Sequence, residues 1–224
     1  MKKAIFWDSD GTLLYNNESF KCSMIKAIGK AGYTADADAV GAFMRANCSW
    51  YRPEVGHSDK NGEEWWAALL ESAAVFLAGQ GVSADAIGST CAAFRQGVID
   101  YGYRCYDDAA EVLAYFRGEG YENYVISNNF PELGEVFGRL GLSRYVSGYI
   151  LSADVGYEKP REEIFRRARE LAGEPDECYM IGDNPAADYL GGLRAGMKPV
   201  LVHAAPKNGE TACASLTELK NIIR

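Results

Sequence analysis

The chain has 224 residues, of which 48% are hydrophobic and 24% charged, with 23 basic against 31 acidic residues and a net charge of −8. These are the proportions of a globular protein with one large domain or a domain carrying an insertion. The acidic balance points away from nucleic acid and from anionic membrane surfaces, both of which call for a basic patch.

No stretch approaches the roughly 18 apolar residues of a membrane span. The apolar run after Met1-Lys2-Lys3 is too short for a signal peptide. Six cysteines are scattered without a CxxC pair. They read as reduced thiols of a cytoplasmic protein. A zinc site needs clustered ligands, and the two histidines, His57 and His203, have no ligand-like neighbours.

The first predicted element is the apolar run Ala4-Ile5-Phe6-Trp7, read as a buried strand. It ends in Asp8-Ser9-Asp10-Gly11-Thr12. Two carboxylates separated by one residue repel each other, and burying either without a partner is costly. A cation resolves the conflict. The feature therefore reads as a Mg²⁺ site with one carboxylate free to act as a nucleophile.

Residues 15–105 carry almost no strand signal. Phe20, Met24 and Ile28 recur at helical spacing, as do Ile87, Cys91, Phe94 and Val98. Trp66, Leu69, Leu70, Ala73, Phe76 and Leu77 form another such stripe. About 90 residues of helix are thus expected directly after the first strand, with Trp65 and Trp66 in their core.

From residue 106 onward the pattern changes. Strand-like runs at Tyr124-Val125-Ile126, Gly148-Tyr149-Ile150-Leu151, Cys178-Tyr179-Met180-Ile181 and Val200-Leu201-Val202 alternate with helical patterns. The helices are predicted near 108–118, 131–140, 161–171, 185–195 and 215–223. This alternation predicts parallel βαβ units. Gly196 is placed to end a helix, and Ser215-Leu216-Thr217-Glu218 reads as a capping box opening the last one. Asn129 reads as the cap of the helix beginning near Pro131, in preference to a residue facing the substrate.

The expected architecture is an α/β, Rossmann-like, doubly wound parallel sheet with an inserted all-α cap. The core domain is predicted over 1–14 and 106–224, and the helical cap over 15–105. Ligands of such sheets bind beyond the carboxyl ends of the strands. Asp8, Ser127 and Asp183 all fall at such ends, and the insertion leaves from the first of them.

Four motifs occur in order: Asp8-x-Asp10-Gly11-Thr12, Ser127, Lys159-Pro160, and Gly182-Asp183-x-x-x-x-Asp188. Together they resemble the haloacid dehalogenase superfamily, in its branch with a helical cap after the first motif (subfamily I, C1 cap). The resemblance covers nearly the whole chain.

It implies that Asp8 is the nucleophile, forming an aspartyl-phosphate. Asp10 would be the general acid and then the general base, with its backbone carbonyl on Mg²⁺. Gly11 would permit a tight turn, fixed by the hydroxyl of Thr12. Ser127 and the backbone N–H of Asn128 would bind the phosphoryl oxygens, and Lys159 would neutralise developing charge. Asp183 would be a metal ligand. Asp188 is expected to orient a metal-bound water or Lys159 rather than bind the ion, with Asn184 in an outer shell. The metal is thus assigned Asp8, Asp10 and Asp183. In the cap, Arg45, Trp50 and Arg52 are candidates for holding the leaving group.

The activity implied is a Mg²⁺-dependent phosphatase acting on a small phosphorylated metabolite in the cytoplasm. No nucleic acid or membrane partner is expected, and the protein would be a monomer or homodimer. A sugar phosphomutase shares these motifs and stays open, as does a non-catalytic metabolite-binding or regulatory protein on the same fold. Family dehalogenases resemble this chain but carry a tyrosine in place of Asp10. Phosphonate-cleaving relatives lack that acid and use a cap lysine. Lys21, Lys26 and Lys30 occupy the first cap helix, but Asp10 argues against that chemistry.

Overall fold

The computed structural model describes residues 1–207 and 209–223. Strand β1 (Lys3–Trp7) is followed by four helices before the sheet resumes: α1 (Ser19–Lys30), α2 (Ala37–Asn47), α3 (Glu63–Gly79) and α4 (Ala84–Ile99). Then come α5 (Ala109–Gly118), β2 (Tyr121–Ser127), α6 (Leu133–Arg139), β3 (Gly148–Leu151), the single turn α7 (Ser152–Val155), and α8 (Glu162–Leu171). The chain closes with β4 (Glu177–Gly182), α9 (Gly191–Arg194), β5 (Lys198–Leu201) and α10 (Leu219–Ile222). Among the described residues, no helix is long and apolar enough to cross a membrane. All six cysteines are free thiols.

The five strands are all parallel in the order β3-β2-β1-β4-β5, so β1 lies at the centre. A central strand must be apolar on both sides, which explains why Ala4 to Trp7 shows no alternation. Ala4 and Phe6 face one layer with Ile164, Phe165 and Ala168 of α8, while Ile5 and Trp7 face the other, with Val112, Leu113 and Phe116 of α5. The two faces are covered from opposite sides, as in a doubly wound sheet. Trp7 and Asn123 satisfy each other inside this core. Trp7 Nε1 donates to Asn123 Oδ1 at 3.0 Å, and Asn123 Nδ2 donates to the carbonyl of Leu113 at 2.9 Å.

The four inserted helices follow the predicted stripes. Phe20, Met24 and Ile28 of α1 are buried with Phe94 and Val98 of α4 and with Trp66, Leu69, Ala73 and Leu77 of α3. Trp65 and Trp66 are buried there. The packing does not stop at the edge of the insertion. Phe20 lies 5.8 Å from Trp66 in a stacked pair and 6.0 Å from Phe130, which belongs to the loop after β2. One apolar cluster therefore runs from the sheet face into the helices.

Three expectations are corrected near the C-terminal half. The 185–195 pattern is a π-helical turn (Pro185–Leu190) followed by α9, not one α-helix. Helix α9 ends at Arg194, and Gly196, with φ of 73°, turns the chain two residues later. The last helix is only the turn Leu219–Ile222. Its capping box does not form, because Glu218 accepts from the N–H of Ala214 at 3.0 Å rather than from Ser215. Thr217, inside the predicted helix, gives its N–H and hydroxyl to Asp108.

Trp66→Ala should cost about 3–5 kcal/mol of stability, the usual range for deleting a buried aromatic. Urea denaturation followed by circular dichroism reads this directly. The loss should be larger than for Trp66→Phe, which keeps most of the packing.

Candidate active site

Asp8 directly follows β1, and its N–H donates to the carbonyl of Ile181 in β4 at 2.8 Å. The turn that follows is held by backbone bonds. Thr12, Leu13 and Leu14 all donate to the carbonyl of Ser9. Gly11 has φ of 81°, and a Cβ there would overlap the carboxylate of Asp183. A side chain would thus be excluded twice, by backbone conformation and by the neighbouring acid. The expectation for Thr12 is corrected: its hydroxyl is buried without a hydrogen-bond partner, so the backbone and Gly11 make the turn.

Asp8, Asp183 and Asp188 converge, with one carboxylate oxygen of each within 4.8 Å of the others. Lys159 reaches them from the segment between α7 and α8. Its Nζ donates to Asp8 Oδ1 at 2.7 Å and to Asp188 Oδ1 at 2.6 Å, and the lysine is 2% exposed. Burial works against the Lys159 charge, but Asp188 and Asp8 outweigh it and hold the ammonium above its ordinary range. Burial pushes the Asp188 carboxyl up, and Asp8 adds to this against the attraction of Lys159. Burial and the charge of Asp8 also push Asp183 up.

With every group ionised, three carboxylates and one ammonium leave a net of two negative charges in a small volume. A hard divalent cation offset by oxygen donors fits that composition, and Mg²⁺ is such an ion. The acidic cluster is therefore suited to hold one. Asp188 is included in it, although it also pairs with Lys159, the role expected from the sequence.

Asp10 has different company. Its Oδ1 accepts from Asn17 Nδ2 and its Oδ2 from Asn129 Nδ2, each at 2.6 Å. Burial raises its pKa to about 6, with Asp8 adding, while the amides of Asn129 and Asn17 oppose the shift. The helix-cap expectation for Asn129 is thereby corrected. Its side chain turns to Asp10, and α6 begins only at Leu133. Asn17 was not expected here, and for Asn129 the site was the less favoured of two readings. The one signal for Asn17 is the pair Asn16-Asn17 in the loop just after the first motif.

Ser127 ends β2 and is buried at the cavity. The side chain of Asn128 clamps the lysine segment. Its Oδ1 accepts from the N–H of Lys159 at 2.6 Å, and its Nδ2 donates to the Lys159 carbonyl at 3.0 Å. No local pattern signals this clamp. Asn184 is differently occupied from the outer-shell role expected of it. Its Oδ1 caps the π-helical turn, accepting from Ala186 and Ala187, while its own N–H donates to Asp188 Oδ2.

These groups line a cavity of about 580 Å³ at the carboxyl end of the sheet. The opposite wall comes from the inserted helices: Phe20, Lys21, Met44, Arg45, Trp50 and Tyr51. Arg45 and Trp50 line this cavity. Arg52 does not; it lines a separate cavity of about 260 Å³ with His57 and Trp65, which corrects its assignment. Lys21 and Met44 were missed because nothing in a helical stripe says which end of it meets the sheet.

Lys159→Met would leave the Asp8 and Asp188 carboxylates facing each other without their cation. In EDTA the variant should lose about 3–5 kcal/mol, as when one partner of a buried pair is removed. Burial already raises the Asp188 carboxyl and Lys159 opposes that rise, so without the lysine the penalty is present at high pH and shrinks as pH falls from 8 towards 5. Adding Mg²⁺ should recover part of the loss. Urea titrations at several pH values check both signs.

Comparison with known proteins gives the family and the fold. A family profile for haloacid dehalogenase-like hydrolases matches residues 2–196. A pyrimidine 5′-nucleotidase of Escherichia coli, YjjG, is 39% identical over 108 residues, 44% of this chain and 48% of that one. A glyceraldehyde 3-phosphate phosphatase of Methanothermobacter thermautotrophicus is 30% identical over 133 residues, 54% of this chain and 59% of that one. The chain thus spans about half the length of these curated relatives. The magnesium-bound crystal structure of a HAD hydrolase described as putative, YfnB from Bacillus subtilis, superposes with a TM-score of 0.69 at 18% identity. The match covers 99% of this chain and 98% of that one. The chain belongs to the haloacid dehalogenase-like hydrolase family.

Proposed function

We propose that the protein is a Mg²⁺-dependent phosphatase that hydrolyses a small phosphomonoester through an aspartyl-phosphate on Asp8. The observation that carries this reading is the placement of two carboxyls two residues apart in opposite electrostatic settings. Asp8 lies against the Lys159 ammonium, whereas Asp10 is held by two neutral amides.

In this reading, a carboxylate oxygen of Asp8 attacks phosphorus while the bond to the leaving oxygen breaks. Asp10 gives its proton to that oxygen. Asp10 then takes a proton from the water that attacks the phosphorus, and the bond to Asp8 breaks as phosphate forms. A pKa near 6 suits a carboxyl that must both give and take a proton. Lys159 and the Ser127 hydroxyl hold the phosphoryl oxygens in place, with Lys159 in a dry setting where its charge acts strongly. Mg²⁺ held by Asp8, Asp183 and the Asp10 carbonyl, with Asp188 nearby, would neutralise charge on the transferring group.

The leaving group is assigned to the wall formed by Phe20, Met44, Trp50 and Arg45, with the 15–105 insertion acting as the cap. The cavity volume suits a small metabolite, and the relatives above are named for a nucleotide and a triose phosphate. The setting would be the cytoplasm, consistent with six free thiols.

Phosphate release from a panel of small phosphomonoesters and an aryl phosphate tests the reading. Turnover with Mg²⁺ that disappears in EDTA is the expected result. A folded protein that releases no phosphate but relocates it on a sugar phosphate would be a mutase instead. Asp8→Asn should abolish turnover with the fold intact, and Asp10→Asn should lower kcat by about 10²-fold or more. Arg45→Ala should raise KM more than it lowers kcat, because its contact would be made equally in ground and transition states.

A further inference from the structure

Glu158, the residue before Lys159, is fully buried, yet among the described residues its side chain bonds only to the insertion. Its Oε1 accepts from the hydroxyl of Ser49 and lies 3.3 Å from His57 Nε2, and both belong to the insertion. Its Oε2 has no hydrogen-bond partner. Ser49 in turn accepts from Trp65 Nε1 at 3.4 Å. A buried carboxylate with one satisfied oxygen is unfavourable by itself. Such a group persists where it serves a contact that the rest of the structure enforces.

That contact is a strap, residues 49–62, laid across the core segment 153–161. The N–H of His57 donates to the Gly156 carbonyl at 2.8 Å, and the N–H of Gly62 donates to the Ala153 carbonyl at 2.7 Å. Arg161 Nη1 donates to the Glu54 carbonyl at 2.7 Å. Gly156 has φ of 82°, and a Cβ there would overlap the backbone of Ser58. The approach is close enough that only glycine permits it.

The lysine segment is thus gripped from two sides. Asn128 of the core holds the backbone of Lys159 through both its N–H and its carbonyl. The strap holds Glu158 through Ser49 and His57. We propose that Glu158 is a positioning residue through which the cap strap fixes Lys159, so that the lysine is in working position only when the strap is seated. Glu158 touches no reacting group. Its effect passes along one peptide bond to the ammonium between Asp8 and Asp188.

This inference rests on the phosphatase reading for its kinetic readout, and orthophosphate binding supplies a second readout independent of turnover. Glu158→Ala, Glu158→Gln and the double variant Ser49→Ala/His57→Asn are compared with the native protein, each checked for folding by circular dichroism. The expected result is a fall in kcat of tenfold or more for Glu158→Ala and for the double variant, with KM for an aryl phosphate changing less than threefold. Calorimetry should show orthophosphate binding weakened at least fivefold in the same two variants. Glu158→Gln, which keeps an oxygen acceptor for Ser49, should stay within threefold of native in both readouts.

A folded Glu158→Ala with kcat and orthophosphate affinity within twofold of native overturns the proposal. So does a Glu158→Gln as impaired as Glu158→Ala. If Glu158→Ala does not fold, the strap-side double variant decides by the same thresholds. Absence of turnover in the native protein overturns the phosphatase reading alone, and orthophosphate binding then decides this one. Native protein that neither turns over nor binds orthophosphate overturns both.

Discussion

The ammonium of Lys159, held between Asp8 and Asp188, is the interaction on which the carboxyl end of the sheet depends. Its two contacts, at 2.7 and 2.6 Å, join residues that come from the end of β1, the segment before α8 and the π-helical turn after β4. Each ion loses hydration worth several kcal/mol on burial, and attraction at that distance in a poorly screened interior must offset it. One lysine cannot balance three acids, and Asp183 also faces the cluster. The leftover negative charge makes this corner of the molecule receptive to a cation, on a protein whose overall charge already repels anions.

The position of Lys159 is set by partners from both parts of the chain. Asn128 closes a pair of backbone hydrogen bonds from the core side, and the strap over Gly156 and Glu158 closes the other side. The aromatic cluster of Phe20, Trp66 and Phe130 adds an apolar connection between the same two parts. Glu132 reinforces it from the start of α6, accepting from Trp66 Nε1 at 2.8 Å and from Arg95 at 2.6 Å. Helices inserted after the first strand are therefore not an appendage. They complete the far wall of the cavity and reach the segment that carries its lysine.

Much of this was legible in the sequence because it follows from local pattern. An apolar run with no alternation, such as Ala4 to Trp7, has few alternatives to a central parallel strand. The strand ends then point to Asp8, Ser127 and Asp183 without further information. What the sequence hid were polar side chains whose partners are distant along the chain. Asn129 and Asp10 are 119 residues apart, and Ser49 and Glu158 are 109 apart. Asn, Ser and Glu are common at turns and surfaces, so their types carry no signal until the partner is known. Arg52 shows the same limit from the other side, since it sits two residues from Trp50 but faces a different cavity. The last helix failed because Thr217 found Asp108, a competitor that a local capping rule cannot include.

The pair Asp8 and Asp10 shows how one short motif can supply two kinds of carboxyl. Both leave the same strand, and the charge of Asp8 adds to the burial that raises Asp10. Lys159 meets Asp8 with a formal positive charge. Asn17 and Asn129 meet Asp10 only with dipoles, so burial still raises Asp10 to about 6. The two amides oppose that rise without cancelling it, whereas Asp8 has the Lys159 ammonium against one of its oxygens. The division of labour proposed for the two residues, nucleophile and proton carrier, thus follows from which neighbours each one has. Moving an ammonium to Asp10, or an amide to Asp8, would remove that difference while leaving the motif unchanged.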